Sequence, residues 1–175
     1  MFSKELVIPQ DVTLDVSGNK VKVSGAKGQL EKEFRLTNNI KIEKIENKIK
    51  VSSESERRKV KALVGTTLAH IRNAIEGVMK GYTYKLKVVF SHFPVTVKLE
   101  GNKVSVQNFL GERKPRVAKI VGNTKVEING ADITVTGIDI DEVGETAHNL
   151  ELATRRTGYD KKVFHDGIYL VSRGE

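Results

Sequence analysis

A duplication constrains this chain more than any other feature. Val12 to Lys22 reads VTLDVSGNKVK, and Val95 to Ser105, 83 residues further on, reads VTVKLEGNKVS. At the same offset Val23 falls on Val106 and Gly28 on Gly111, and at an offset of 84 Ile49 and Val51 fall on Ile133 and Val135. A sequence that repeats at this period encodes one supersecondary unit twice. Whatever the fold, each half must fold much as the other does.

The residues inside the repeat say what that unit is. Val12, Leu14 and Val16, then Val21 and Val23, alternate with polar neighbours as half-buried strands do. Gly18-Asn19 lies between the two runs and supplies the positive backbone angles of a tight hairpin turn. The second copy does the same with Val95, Val97 and Leu99, then Gly101-Asn102, then Val104 and Val106. Each hairpin has one apolar face that something must cover.

A helix is available in each copy. In the first, Ser53 with Glu56 three residues on has the form of a capping box. Val60, Leu63, Val64, Leu68, Ile71, Ile75 and Val78 then fall on one helical stripe, and Gly81 is placed to end it. Arg57, Arg58, Lys59 and Lys61 crowd its first turns, the unfavourable end of the helix dipole for cations; the misfit hints at a use for the charges, and a solvated helix end is the readier explanation. In the second copy Asp141 is the expected cap, followed by Val143, Ala147, Leu150 and Thr154. The expected fold class is α+β, two tandem copies of a small antiparallel β-sheet with one packed α-helix. The boundary falls near Gly81-Tyr82, giving units 1–81 and 82–175.

Charge then separates the copies. The chain of 175 residues carries a net charge of +8, and a basic balance of that size points to nucleic acid or an anionic surface. Residues 1–81 hold 16 Lys and Arg against 10 Asp and Glu, and residues 82–175 hold 14 against 12. Net charge alone therefore favours the first half. Segregation favours the second. In the first half Lys and Glu interleave, as in KIEKIENKIK, the pattern of a solvated strand face. In the second, cations bunch at Arg113, Lys114 and Arg116 with Lys119, and again between Arg155 and Lys162.

The second bunch lies in the C-terminal run RRTGYDKKVFHDGIYLVSR. It begins as the tail of a helical pattern and breaks into a loop at Gly158. It then becomes an apolar strand, Ile168 to Val171, announced by the Asp166-Gly167 turn. Arg155-Arg156 and Lys161-Lys162 flank Tyr159 on that loop. Cations neutralise phosphates and a ring offers a stacking face. Local composition alone supports an ordinary solvated loop equally well.

Other chemistries find no footing. The chain has no cysteine, which excludes disulfides, thiol catalysis and thiolate metal sites. His70, His92, His148 and His165 lack ligand spacing, and His148 and His165 could meet only by an accident of the fold. Asp139/Asp141 and Glu142/Glu145 stand at a helix start, where capping explains them. There is no phosphate loop, dinucleotide fingerprint or nucleophile elbow. The expectation is a protein that is not an enzyme and needs no cofactor or metal. The N-terminus lacks a signal-peptide core and no stretch approaches the ~20 apolar residues of a membrane helix, so a soluble, cytoplasmic protein is expected.

Several blocks, in order, resemble the L6 family of ribosomal proteins. They are Ile8-Pro9 with VTLDV and GNKVKVSGAKGQL, the GTTLAHIRNAIEGVMKGY helix, SHFPV, NFLGE, and the final ATRRTGYDKKVFHDGIY. The last is similar to the archaeal form. The resemblance implies a structural constituent of the large ribosomal subunit that binds large-subunit rRNA near the sarcin-ricin loop and the factor-binding region. Neighbouring ribosomal proteins and translation factors would then be its other partners. In that family the C-terminal copy makes most of the RNA contact. Carried over residue by residue, RNA contact is expected at Arg155, Arg156, Tyr159, Lys161, Lys162 and His165, and also at Arg113, Lys114, Arg116 and Lys119. The rival reading is a protein-docking module, which needs an exposed apolar patch; the sequence shows no surplus of apolar residues outside the two stripes.

Overall fold

The computed structural model describes residues 2–35, 40–160 and 162–174. The chain divides into two compact units, Met1–Gly81 and Tyr82–Glu175.

In the first unit, β2 (Thr13–Ser17) and β3 (Lys20–Gly25) form the expected hairpin, with Ser17 opposite Lys20 and Gly18 at φ 62° in the turn. β4 (Gly28–Glu33) completes a three-stranded antiparallel sheet in the order β2-β3-β4. A second sheet has the order β1-β6-β5, from β1 (Phe2–Val7), β5 (Ile40–Ile45) and β6 (Lys48–Ser53). Both pack on α1 (Arg58–Met79). Leu14, Val21, Val23, Ile49, Val51, Val64, Ile71, Ile75 and Val78 are buried. Leu63, expected in the helical stripe, is 43% exposed, and Thr67 and Ala74 are buried along with the stripe.

The capping box is not formed. Ser53 is the last residue of β6, paired with Phe2 and Ile40. Its hydroxyl accepts from the Ser55 amide at 3.1 Å. The helix starts four residues later than that box requires, behind Arg57, with no side-chain cap. The strand ladder holds Ser53 extended and so takes the serine away from the helix. The other end behaves as expected, with Gly81 at φ 76° and its amide donating to the Gly77 carbonyl.

The second unit repeats the plan and extends it. β8 (Thr96–Glu100), β9 (Lys103–Gln107) and β10 (Arg116–Lys119) form one antiparallel sheet, with Gly101 at φ 59° in the hairpin turn. The other has the order β11-β12-β7-β13, from β7 (Tyr82–Val89), β11 (Lys125–Asn129), β12 (Asp132–Gly137) and β13 (Gly167–Arg173). α2 (Ile140–Ala153) packs on β7, β10, β12 and β13. Phe109, Leu86, Ile133, Leu150 and Ile168 are among the largest fully buried side chains of this core. The cap of α2 is Asp139, not Asp141; its carboxylate accepts from the Asp141 amide at 3.0 Å, and Asp141 and Glu142 lie in the first turn.

Among the described residues, β13 has no counterpart in the first unit. There β1 is an edge strand, whereas its equivalent β7 is flanked on both sides. The loop that feeds β13 is therefore unique to the second unit.

The two copies also differ at one turn. Glu46 adopts φ 49° in the β5–β6 turn, and the residue at its place in the second copy is Gly130, at φ 62°. A side chain in the left-handed region costs about 1 kcal/mol. Glu46→Gly is expected to stabilise the chain in a urea titration by up to about 0.5 kcal/mol, the strain relieved less the added backbone entropy of glycine.

Candidate nucleic-acid interface

The loop from Arg155 to Asp166 is anchored by side chains at both ends. Thr154 is buried, and its Oγ1 accepts from the Ile168 amide at 2.9 Å and donates to the Glu151 carbonyl at 3.2 Å. Glu151 Oε1 accepts from the Leu170 amide at 2.8 Å. The end of α2 is thus tied to the start of β13, and the intervening residues must project as a loop. Gly158, at φ 81°, turns it. Asp160 then accepts from the Lys162 amide through Oδ1 at 2.9 Å, and from Val163 and Phe164 amides through its carbonyl.

Arg156 holds this loop from within. Its Nη1 donates to the Asp166 carbonyl at 2.7 Å and to the Tyr169 hydroxyl at 2.8 Å. The Tyr169 hydroxyl donates on to the His165 carbonyl at 3.2 Å, and the His165 ring stacks on Tyr169 with centroids 5.0 Å apart. Asp166 is fully buried, and neither of its carboxylate oxygens has a hydrogen-bond partner; Arg156 Nε is buried and unpartnered as well.

Of the other predicted cluster, Arg113 and Lys114 sit on the turn between β9 and β10, Arg116 opens β10 and Lys119 ends it. Asn108, Leu110 and Gly111 all have positive φ in that turn. Arg113 and Lys114 are exposed at its tip. Arg116 points the other way. It donates two hydrogen bonds to Glu112, at 2.8 Å from Nε to Oε2 and 2.6 Å from Nη2 to Oε1. Its Nη1 donates to the carbonyls of Ala153 at 3.1 Å and Arg155 at 2.8 Å, and its guanidinium lies 4.6 Å from the Phe109 ring centroid. One side chain therefore fastens the 108–116 turn to the C-terminal end of α2. The hydrogen bonds from Arg116 hold the Glu112 carboxyl below its ordinary value, and they raise Arg116 in turn.

The structure brings the two basic clusters together and sorts their members. Arg113, Lys114, Lys119, Arg155 and Lys162 are exposed, and among the described residues their side chains have no ion-pair partner. Arg116 and Arg156 spend their donors inside the protein. His165 is exposed but stacked. Lys161 lies outside the described residues. Tyr159, 48% exposed, meets Phe164 edge-on at 5.2 Å, and Phe164 in turn contacts His92 of the β7–β8 loop at 4.9 Å.

Some contributors were not expected from sequence. A cleft of ≈ 810 Å³ opens beside the loop, lined among others by His148 and Leu152 of α2, Tyr159, and His165 and Tyr169. His148 and His165, which share no spacing motif, are brought to that one cleft. Exposed apolar side chains are also more numerous than the stripes imply: Phe93, Leu152 and Val163 join Tyr159 on this unit. The Glu112–Arg116 pair had a visible signal, opposite charges four residues apart, although the pair spans a turn and not a helix.

The profile of the family described as ribosomal protein L6 matches residues 8–81 and 93–167, one stretch in each unit. The chain belongs to that family. It is 49% identical over 175 residues to the large ribosomal subunit protein uL6 of Staphylothermus marinus, covering 98% of this chain and 95% of that protein. The protein of the same name from Methanobrevibacter smithii is 45% identical over 170 residues, 97% of this chain and 95% of its own. That of Archaeoglobus fulgidus is 46% identical over 171 residues, covering 95% and 87%. The archaeal type of the family agrees with the resemblance of the C-terminal run.

Arg116→Lys is expected to destabilise the chain by about 1–3 kcal/mol in thermal unfolding, because an ammonium cannot reproduce the fork. Arg113→Ala, on the same turn, should stay within about 0.5 kcal/mol. The pH dependence has a definite sign. With its folded value depressed, Glu112 contributes stability that is complete above the free-glutamate value of about 4.3 and lost as pH falls through the folded value. Glu112→Gln should remove that acid-sensitive portion of the stability curve.

Proposed function

We propose that the second unit binds large-subunit rRNA through the paired loops 108–116 and 155–166. Family membership makes the chain a protein of the large ribosomal subunit, and its relatives carry the name of a subunit component, not of an enzyme. The observation that carries the RNA reading is the Arg116 bridge. It fixes two cation-bearing loops together while leaving the cations themselves free. Arg113, Lys114, Lys119, Arg155 and Lys162 meet phosphates, with Lys161 beside them in sequence, and Tyr159 offers a ring. Arg116, Arg156 and His165 position the loops.

Recognition is of shape and charge. A folded rRNA helix presents phosphates and 2′-hydroxyls in a wide minor groove, and separate cations on two braced loops suit that target better than base-edge readout. The resemblance supports a site near the sarcin-ricin loop and the factor-binding region, with neighbouring ribosomal proteins and translation factors close by. The acidic start of α2, with Asp141 and Glu142, then faces away from RNA.

Replacing Arg155 and Lys162 by Ala tests the assignment. Binding to an rRNA fragment carrying the sarcin-ricin region should weaken, and the slope of log affinity against log salt should flatten by about one unit per lost phosphate contact. A double variant with the wild-type slope would remove this loop from the interface.

A further inference from the structure

We propose that the cleft beside the 155–166 loop receives one unpaired RNA nucleotide turned out of its helix. The proposal rests on the RNA-binding reading above and assigns the surface a second task, one that phosphate contact does not require.

Size comes first. The cleft measures ≈ 810 Å³, within the range of about 300–1,000 Å³ typical of small-ligand sites, and so has room for a base with its sugar and phosphate. Its lining has the matching chemistry. Tyr159 offers a ring that is 48% exposed, and Leu152, 49% exposed, adds an apolar wall. The stacked pair of His165 and Tyr169, inclined by only 14°, supplies a second flat surface. Arg155 and Lys162, both exposed, line the same cleft and are placed for the phosphate. An isolated anion needs no rings, and an apolar side chain from a protein needs no pair of cations. A nucleotide uses both.

The cleft is also built in advance. Arg156 bonds the Asp166 carbonyl and the Tyr169 hydroxyl, and that hydroxyl bonds the His165 carbonyl. The Tyr169 ring, with His165 stacked on it, therefore keeps its place before any ligand arrives, which lowers the ordering cost of binding. A regular RNA duplex has no base free to enter. A bulge or loop nucleotide has, because turning out an unpaired base costs least. Ring stacking tolerates any base, so no base identity is implied.

The test uses the full chain and two RNA hairpins that differ by a single bulged 2-aminopurine. The wild type should bind the bulged hairpin at least about tenfold more tightly than the fully paired one, with a change in 2-aminopurine emission. Thr157→Trp, an exposed position that lines the cleft and fills it, should bring both RNAs to one affinity and abolish the emission change. Tyr159→Ala should do the same by removing a ring. Equal wild-type affinity for the two hairpins with unchanged emission, while binding still depends steeply on salt, overturns the cleft and leaves the RNA reading standing. Absence of salt-dependent binding to either hairpin overturns the RNA reading itself.

Discussion

The second unit depends on what Arg116 does with its charge. A guanidinium has five donors in a rigid fork, and here they are divided between the Glu112 carboxylate and two carbonyls at the end of α2. The Ala153 carbonyl belongs to the group that every helix leaves unsatisfied at its C-terminus, and the Arg155 carbonyl lies just past the cap. A cation there also complements the helix dipole. The same contacts that finish α2 thus hold the 108–116 turn against it. Without them the two basic loops are separate hairpin and helix-end excursions. With them they are one surface, braced by a half-buried Arg116 and its carboxylate.

Duplication explains why that surface exists once. Both units use the same hairpins and the same helix-on-sheet packing, and the Gly-Asn turns sit at matching places. In the second unit the chain continues past the helix, loops through residues 155–166 and returns as β13 along β7. Thr154 and Glu151 tie the two ends of that excursion together. An extra strand added to one copy of a repeated scaffold therefore brings a loop with it, and the loop carries the cations. The first unit carries the larger net charge, but its cations interleave with acids on strand faces or crowd the start of α1.

Much of this was legible in the chain. Alternation over Val12 to Val23 and Val95 to Val106 marks hairpins, and both appear with glycine at positive φ in the turn. The strand Ile168 to Val171 lies within β13. Other features were decided by contacts that no local pattern contains. Ser53 has the spacing of a cap, yet the ladder with Phe2 and Ile40 keeps it in a strand. Arg116 and Arg113 look alike in sequence. Which one turns inward is set by the carbonyls of Ala153 and Arg155, 37 and 39 residues away. Arg156 and Arg155 are distinguished in the same way, by Tyr169 and Asp166. His148 and His165 come to one cleft only because α2 and β13 are tied at Thr154. The cationic character of the site is a property of composition. The sorting of its cations into those that face solvent and those that brace the loops is a property of tertiary structure.

The central claim is that the RNA surface belongs to the second unit although the first is the more basic. Matched triple variants of the full chain test it most directly: Arg113, Lys114 and Arg155 to Ala in one, and Arg57, Arg58 and Lys59 to Ala in the other, each titrated with the same rRNA fragment across a salt series. Both lose three charges. The first variant should bind weakly with a slope flattened by about three units, while the second keeps nearly the wild-type slope. Equal flattening in both, or flattening only in the second, would contradict it.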